Sequence, residues 1–167
     1  VNDRYEYYDM KNQEPLISMA VPRQLQQHYR ATSGWCARAV DALADRLAFR
    51  EFGNDTFKFG EIYAKNNADV LFDSAIHSAL VSSCSFIYIV PGEGYPRMRV
   101  LDGGHATGII DPITNLLTEG YAALEVDDHG TPTLEAYFLP HETRYYTAGI
   151  AAPRVVRHAS PYPLLVP

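Results

Sequence analysis

The sequence contains two cysteines, Cys36 and Cys84, in 167 residues. That is too few for the disulfide framework of a small secreted fold. No cysteine or histidine spacing matches a zinc site either. Both thiols are therefore expected to be free and buried, in a reducing compartment. Long apolar runs are also missing: no stretch reaches the roughly 20 residues of a membrane-spanning helix. The N-terminus, from Val1 to Met10, is polar and aromatic, unlike a secretory signal. Lysine is scarce, present only at Lys11, Lys58 and Lys65. Gly92-Glu93-Gly94 and Gly103-Gly104 join no strand to a helix, so they read as turns rather than phosphate loops. There is no internal repeat and no low-complexity tract.

What is present is an ordinary globular balance. Hydrophobic residues make up 47% and charged residues 20%, which excludes a disordered chain. The length suits one domain, read as spanning 1–167, with enough chain to bury a core. Twelve tyrosines and seven phenylalanines favour sheets and interface surfaces. The net charge of −6 argues against gripping nucleic acid by phosphate neutralisation, which needs a basic face. Five arginines of the first third, Arg23, Arg30, Arg38, Arg46 and Arg50, read as a solvated face.

The first third reads helical and the rest as strands, so the fold class is α+β: N-terminal helices followed by a mainly antiparallel sheet. Val21 to Leu25 reads as an extended approach to a helix, with Ser33 as a candidate N-cap. Val40, Leu43, Ala44 and Leu47 fall on one helical face. Gly53-Asn54-Asp55 ends that unit. A second helix is predicted from Thr56 to Asn66. A third, capped by Asn67, turns Phe72, Ile76, Ala79 and Leu80 inward. Then the period changes. Residues 86–90 form a β-branched, apolar run expected for a buried strand. Short strands are predicted at 98–101, 120–126 and 134–139, with further candidates around Ile109-Ile110, Tyr145-Tyr146 and Val155-Val156. The turns between them are carried by Asp111-Pro112, Asp127-Asp128-His129-Gly130 and Pro140-His141-Glu142.

One pair of residues has the chemistry of a nucleophile and its base. Cys36 stands at the head of a helix, where free N–H groups and the dipole favour a thiolate. His105 precedes a strand, and Glu119 is placed downstream as a candidate to orient the imidazole. Cysteine on a helix and histidine on a strand is the layout of a papain-like cysteine hydrolase. The plainer reading is a small core cysteine and a polar loop histidine. His28, His77, His129, His141 and His158 form no metal-ligand set. Asp127 and Asp128 read as a hairpin tip, not a carboxylate pair. No catalytic, cofactor-binding or metal residue is assigned, and no cofactor is expected.

The order of segments carries more than any one residue. Tyr7-Tyr8 is followed by Met19-Ala20-Val21-Pro22-Arg23-Gln24-Leu25. Next comes the helix around Ala39 to Leu47, leading into Phe49-Arg50-Glu51-Phe52. A helix pair then carries Ile62-Tyr63-Ala64-Lys65-Asn66-Asn67 and Asp73 to Leu80. The strand Ser85-Phe86-Ile87-Tyr88-Ile89-Val90 follows. Asp111-Pro112-Ile113-Thr114 precedes a strand with paired alanines, Ala122-Ala123. A later strand ends in Pro140-His141-Glu142-Thr143. In this order the chain resembles the N-terminal, wing portion of siphophage-type portal proteins of tailed bacteriophages, over nearly its whole length. It departs at His141, where the family has an acidic residue. It departs again at Cys36, where a proline or aliphatic residue is expected, and at Ser82-Ser83-Cys84, where a glycine is common.

The resemblance implies a structural subunit and not an enzyme. Portal subunits form a ring, commonly of about twelve, at one capsid vertex of the virion. Double-stranded DNA is pumped in and leaves through the channel without sequence-specific binding. Capsid and scaffolding proteins, the terminase and the head–tail connector are the implied protein partners. Host cytoplasm is the implied site of assembly. No membrane is involved. The apolar, proline-rich segment from Ser160 to Pro167 must rest on something. It is read as a truncation, with the stem, clip and tunnel loop of the family absent.

Overall fold

Side-chain alternation decides the larger half of the molecule. The structure, a computed structural model, describes residues 1–11, 14–15, 20, 22–26, 30–32, 34–50 and 52–167, with the backbone alone at 14, 15, 23, 30 and 31. The fold is α+β, with short helices followed by antiparallel sheets. The apolar run forms β3 (Ser85–Val90), and its partner is β4 (Arg97–Asp102). The third strand of that sheet is β10 (Leu165–Val166), which pairs with the other side of β3. A five-stranded sheet follows in simple sequence order: β5 (Ala106–Ile110), β6 (Leu117–Val126), β7 (Pro132–Leu139), β8 (Glu142–Thr147) and β9 (Arg154–Arg157).

The two sheets stack through one face of each. Phe86 and Tyr88 of β3, Leu101 of β4 and Leu165 of β10 meet Ala106, Leu117, Ala122, Leu124, Ala136 and Phe138. Alternate residues along a strand share a face, which is why 86 and 88, or 136 and 138, act together. Burying a Phe or Leu side chain contributes about 1.5–3 kcal/mol, so this seam is the main source of stability. Small residues make the close approach possible. A Cβ on Gly120 would lie 2.9 Å from Leu165 Cδ2, so the absence of a side chain there admits Leu165.

The other face of the three-stranded sheet carries the helices. The long helix α5 (Ala68–Ser82) packs on β3 and β4. Around it sit α1 (Asn2–Tyr8), α3 (Trp35–Ala44) and α4 (Phe59–Lys65). The short strands β1 (Glu14–Pro15) and β2 (Arg30–Ala31) pair with each other, and α2 (Arg23–Gln26) lies between them in sequence. Arg23 thus begins a short helix where an extended approach was expected. Ser33 lies outside the described residues.

Several local expectations shift by a turn. The helix through Val40 ends at Ala44, which is buried, while Leu43 and Leu47 stay 48% and 45% exposed. The helix expected from Thr56 begins at Phe59. Its start is anchored by Asp55, whose carboxylate accepts the N–H groups of Phe59 at 2.6 Å and Gly60 at 2.8 Å. Asp55 thus opens this helix rather than closing the preceding unit, satisfying N–H groups of its first turn. Asn67 does precede α5, but with a left-handed backbone (φ 47°) and no side-chain cap. The buried side of α5 is Ala68, Ala75, Ser78, Val81 and Ser82. Phe72 instead stacks on Phe49 and Tyr63. The expected burial of both thiols is not observed: Cys36 and Cys84 are free and exposed. Cys36 follows the 82%-exposed Trp35 in the first turn of α3. Cys84 follows Ser83, whose left-handed backbone (φ 74°) turns the chain from α5 to β3 at the surface.

Candidate functional site

His105 is oriented by its own turn. It closes the β4–β5 connection, and its Nδ1 lies 2.9 Å from both carboxylate oxygens of Asp102. Asp102 Oδ1 also accepts the backbone N–H groups of Gly104 and His105, at 2.7 and 3.1 Å. The carboxylate therefore builds the turn and fixes the imidazole in one step. The expected orienting residue, Glu119, is occupied elsewhere: it accepts the hydroxyl of Tyr137 across the five-stranded sheet. The signal for Asp102 was in the sequence, as an acid three residues before the histidine with two glycines between them.

The pair lines an open cleft of about 530 Å³ between the ends of β4 and β6, shared with Arg99, Leu101, Glu125 and Thr133. A second cleft, of about 680 Å³, lies between α1, α5 and β4 and includes Tyr5, Tyr8, His77 and Asp102. There Tyr8 donates to Asp41 at 2.8 Å, and that bond, followed by burial, raises the Tyr8 pKa. His77 stands edge-on to Tyr8, with its Nδ1 3.9 Å from Asp41.

The two residues of the papain-like expectation belong to different elements: Cys36 to α3, and His105 to the turn between β4 and β5. No hydrogen bond joins the thiol to the imidazole. Among the described residues, no hydroxyl or thiol is hydrogen-bonded to His105, whose recorded partner is Asp102. A base must lie within hydrogen-bond reach of the proton it removes. Of the other histidines, His28 lies outside the described residues. His129 sits at the β6–β7 tip, where its N–H is held by Asp127. Among the described residues no group of His, Cys, Asp and Glu could hold a metal ion, and no helix is long and apolar enough to cross a membrane.

The molecule's broad surfaces carry more organisation than its clefts. On the helical side, Phe49, Phe52, Tyr63 and Phe72 form an aromatic cluster with centroid distances of 4.8–5.8 Å. Phe57 and Phe59 extend that cluster into solvent, 77% and 48% exposed. The outward face of the five-stranded sheet carries two diagonal pairs: Tyr121 donates to Glu135, and Tyr137 to Glu119. The bond to Glu135, together with burial, pushes the Tyr121 pKa up to about 12. At the β5–β6 turn, Asp111 accepts the N–H of Ile113 at 2.8 Å and the hydroxyl of Thr114 at 3.0 Å. Those bonds hold its carboxyl below the usual range, the Ile113 N–H contributing most.

No protein-family model matches the chain, and no curated protein matches it.

Proposed function

We propose that this chain is the wing portion of a tailed-phage portal subunit: a structural part of a DNA-packaging ring, not an enzyme. The observation that supports this reading is where the family-like landmarks fall. Ile62 to Asn67 spans the end of α4 and the junction to α5, and Asp73 to Leu80 lies within α5. Ser85 to Val90 is β3. Asp111 and Thr114 bond to each other in a turn before β6, the strand that carries Ala122-Ala123. Pro140-His141 is the tight turn between β7 and β8. The pairing of Asp111 with Thr114 gives the Asp-x-x-Thr pattern a physical reason. At the other landmark, Pro140 followed by His141 at φ 65° matches a type II turn.

In this reading the exposed Phe57, Phe59 and Trp35 face neighbouring protein, since aromatic residues concentrate at interfaces. The acidic balance suits a conduit that DNA traverses without being held. The partners are further copies of the subunit, capsid and scaffolding proteins, the terminase and the head–tail connector. The location is the capsid vertex of the virion, after assembly in the host cytoplasm. The test is the native mass of the intact protein by mass photometry. The expected result is a closed assembly of about a dozen subunits. A monomer at every concentration overturns the proposal.

A further inference from the structure

The five-stranded sheet is electrically lopsided. From Gly103 to Thr131, covering β5, β6 and their turns, there are five carboxylates (Asp111, Glu119, Glu125, Asp127, Asp128) and no lysine or arginine. From Glu142 to Arg157, covering β8 and β9, there are three arginines (Arg144, Arg154, Arg157) and one carboxylate, Glu142. The β5–β6 half of the sheet is therefore acidic and the β8–β9 half basic, although β5 itself carries no charged side chain. Arg144 is held by Glu142 at 2.8 Å, and Arg154 lies over the Tyr145 ring. Arg157, at the outer edge, has no carboxylate partner among the described residues.

Both edges also expose β-branched apolar side chains. Ile109, Ile110 and Ile113 are 57%, 50% and 88% exposed at the edge of the acidic half, and Ile150 and Val155 are 62% and 46% exposed at the edge of the basic half. Among the described residues each edge strand has one paired neighbour in the sheet, leaving its outer backbone groups as a template for a further strand. Every neighbouring pair is antiparallel, so β5 and β9, four steps apart, run in the same direction. The register also sets a straight row across the outward face: Thr107, Tyr121, Tyr137, Arg144, Val155.

We propose that β9 of one copy adds to β5 of a second copy, in the same direction, continuing the sheet through a head-to-tail junction. Pairing β9 with β9 about a two-fold axis would set arginines against arginines. Pairing unlike edges brings the basic strand beside the acidic half of the sheet, with Arg157 at the end where Asp111 follows β5, and covers Ile109 and Val155. Arg154–Arg157 matches the length of the regular part of β5, because the β5–β6 register shifts between Ile109 and Ile110. A junction between unlike surfaces closes into a ring if its rotation divides the circle. The inference deepens the portal reading and rests on it only for that closure.

The test uses the whole chain with Cys36→Ser and Cys84→Ser, to which Thr107→Cys and Val155→Cys are added. These two positions end the same row, so the thiols of adjacent copies fall within disulfide reach at the proposed junction. Mild oxidation is expected to give a covalent ladder from the double variant and little from either single variant. An equimolar mixture of the two single variants is expected to stop at a covalent dimer. Raising salt is expected to lower the yield, as is the pair Arg154→Glu and Arg157→Glu, with circular dichroism confirming that the variant is folded. Dimers from one single variant alone, or no ladder from the double variant, overturn the proposal. Native mass of the intact protein is read separately. A closed ring without the ladder removes this junction and keeps the ring. A ladder that never closes keeps the junction and removes the ring.

Discussion

Tyr88 shows how one side chain joins the two sheets. Its ring meets Phe138 edge-on at 5.1 Å, and its hydroxyl bonds that of Tyr145 on β8. Burial, then that hydrogen bond, pushes its pKa well above the ordinary tyrosine value of 10.0. Tyr63 is also raised, to about 12, by burial and by its bond to Asp69. The folded state therefore keeps these protons where the unfolded chain has begun to lose them. Stability linked to them is complete below pH 10.0 and declines as the pH rises toward the folded values. Urea midpoints measured from about pH 8 to about pH 12 should fall on the alkaline side. Tyr88→Phe should flatten that fall while costing about 1 kcal/mol at neutral pH through the lost hydrogen bond. A curve as steep in the variant as in the parent would remove Tyr88 from the account. The apolar neighbours of Tyr88 made its burial legible in the sequence. Its partner was not legible, because Tyr145 lies 57 residues away.

Among the elements, α4 and β4 are tied by a single amide. Asn66 donates to the carbonyls of Ile62 at 2.9 Å and Pro96 at 3.0 Å, and accepts the Met98 N–H at 3.0 Å. Its side chain thus behaves as a short strand laid along the free edge of β4. Asn66→Ala should destabilise the fold by about 1–3 kcal/mol, since it strips partners from several partly buried backbone groups at once. Denaturant unfolding reads the loss, and a change within experimental error would mean water replaces the amide. The sequence marked Asn66 only as the end of a predicted helix. Turn chemistry and strand period read well because they are local, as Asp127 shows by accepting the N–H groups of His129 and Thr131 at its tip. Helix limits read less well. Asp55 acts on residues four and five positions ahead, and Leu43 and Leu47 follow a helical pattern past the point where packing ends. The candidate site divides in the same way. His105 was visible, but its partner proved to be the local Asp102 rather than the distant Glu119.

The whole molecule is a stack of helices, a three-stranded sheet and a five-stranded sheet whose far face is open. Alternation told which residues of each strand share a face, but not what covers that face. Stacking brings together residues from opposite ends of the sequence, and no period in a single segment encodes that choice. Leu165 is the clearest case: 1% exposed, paired with Tyr88 and lodged over Gly120. Leu165→Ala should cost about 2–5 kcal/mol, as for any large side chain removed from a closed core. Calorimetry reads this as a lower melting temperature, and an unchanged melting temperature would mean that β10 contributes nothing to the seam.

The position of β10 also imposes a timetable on the nascent chain. β3 and β4 can pair, and the meander from β5 to β9 can zip up strand by strand, through short loops that close quickly. The slot over Gly120 stays empty until residue 165 has left the ribosome. Until then Phe86, Tyr88 and Phe138 lack one wall of their enclosure. That contact joins parts of the chain 77 residues apart (Leu165 with Tyr88). Synthesis thus leaves an interval in which the sheets are built and their interior still stands open to chaperones and proteases.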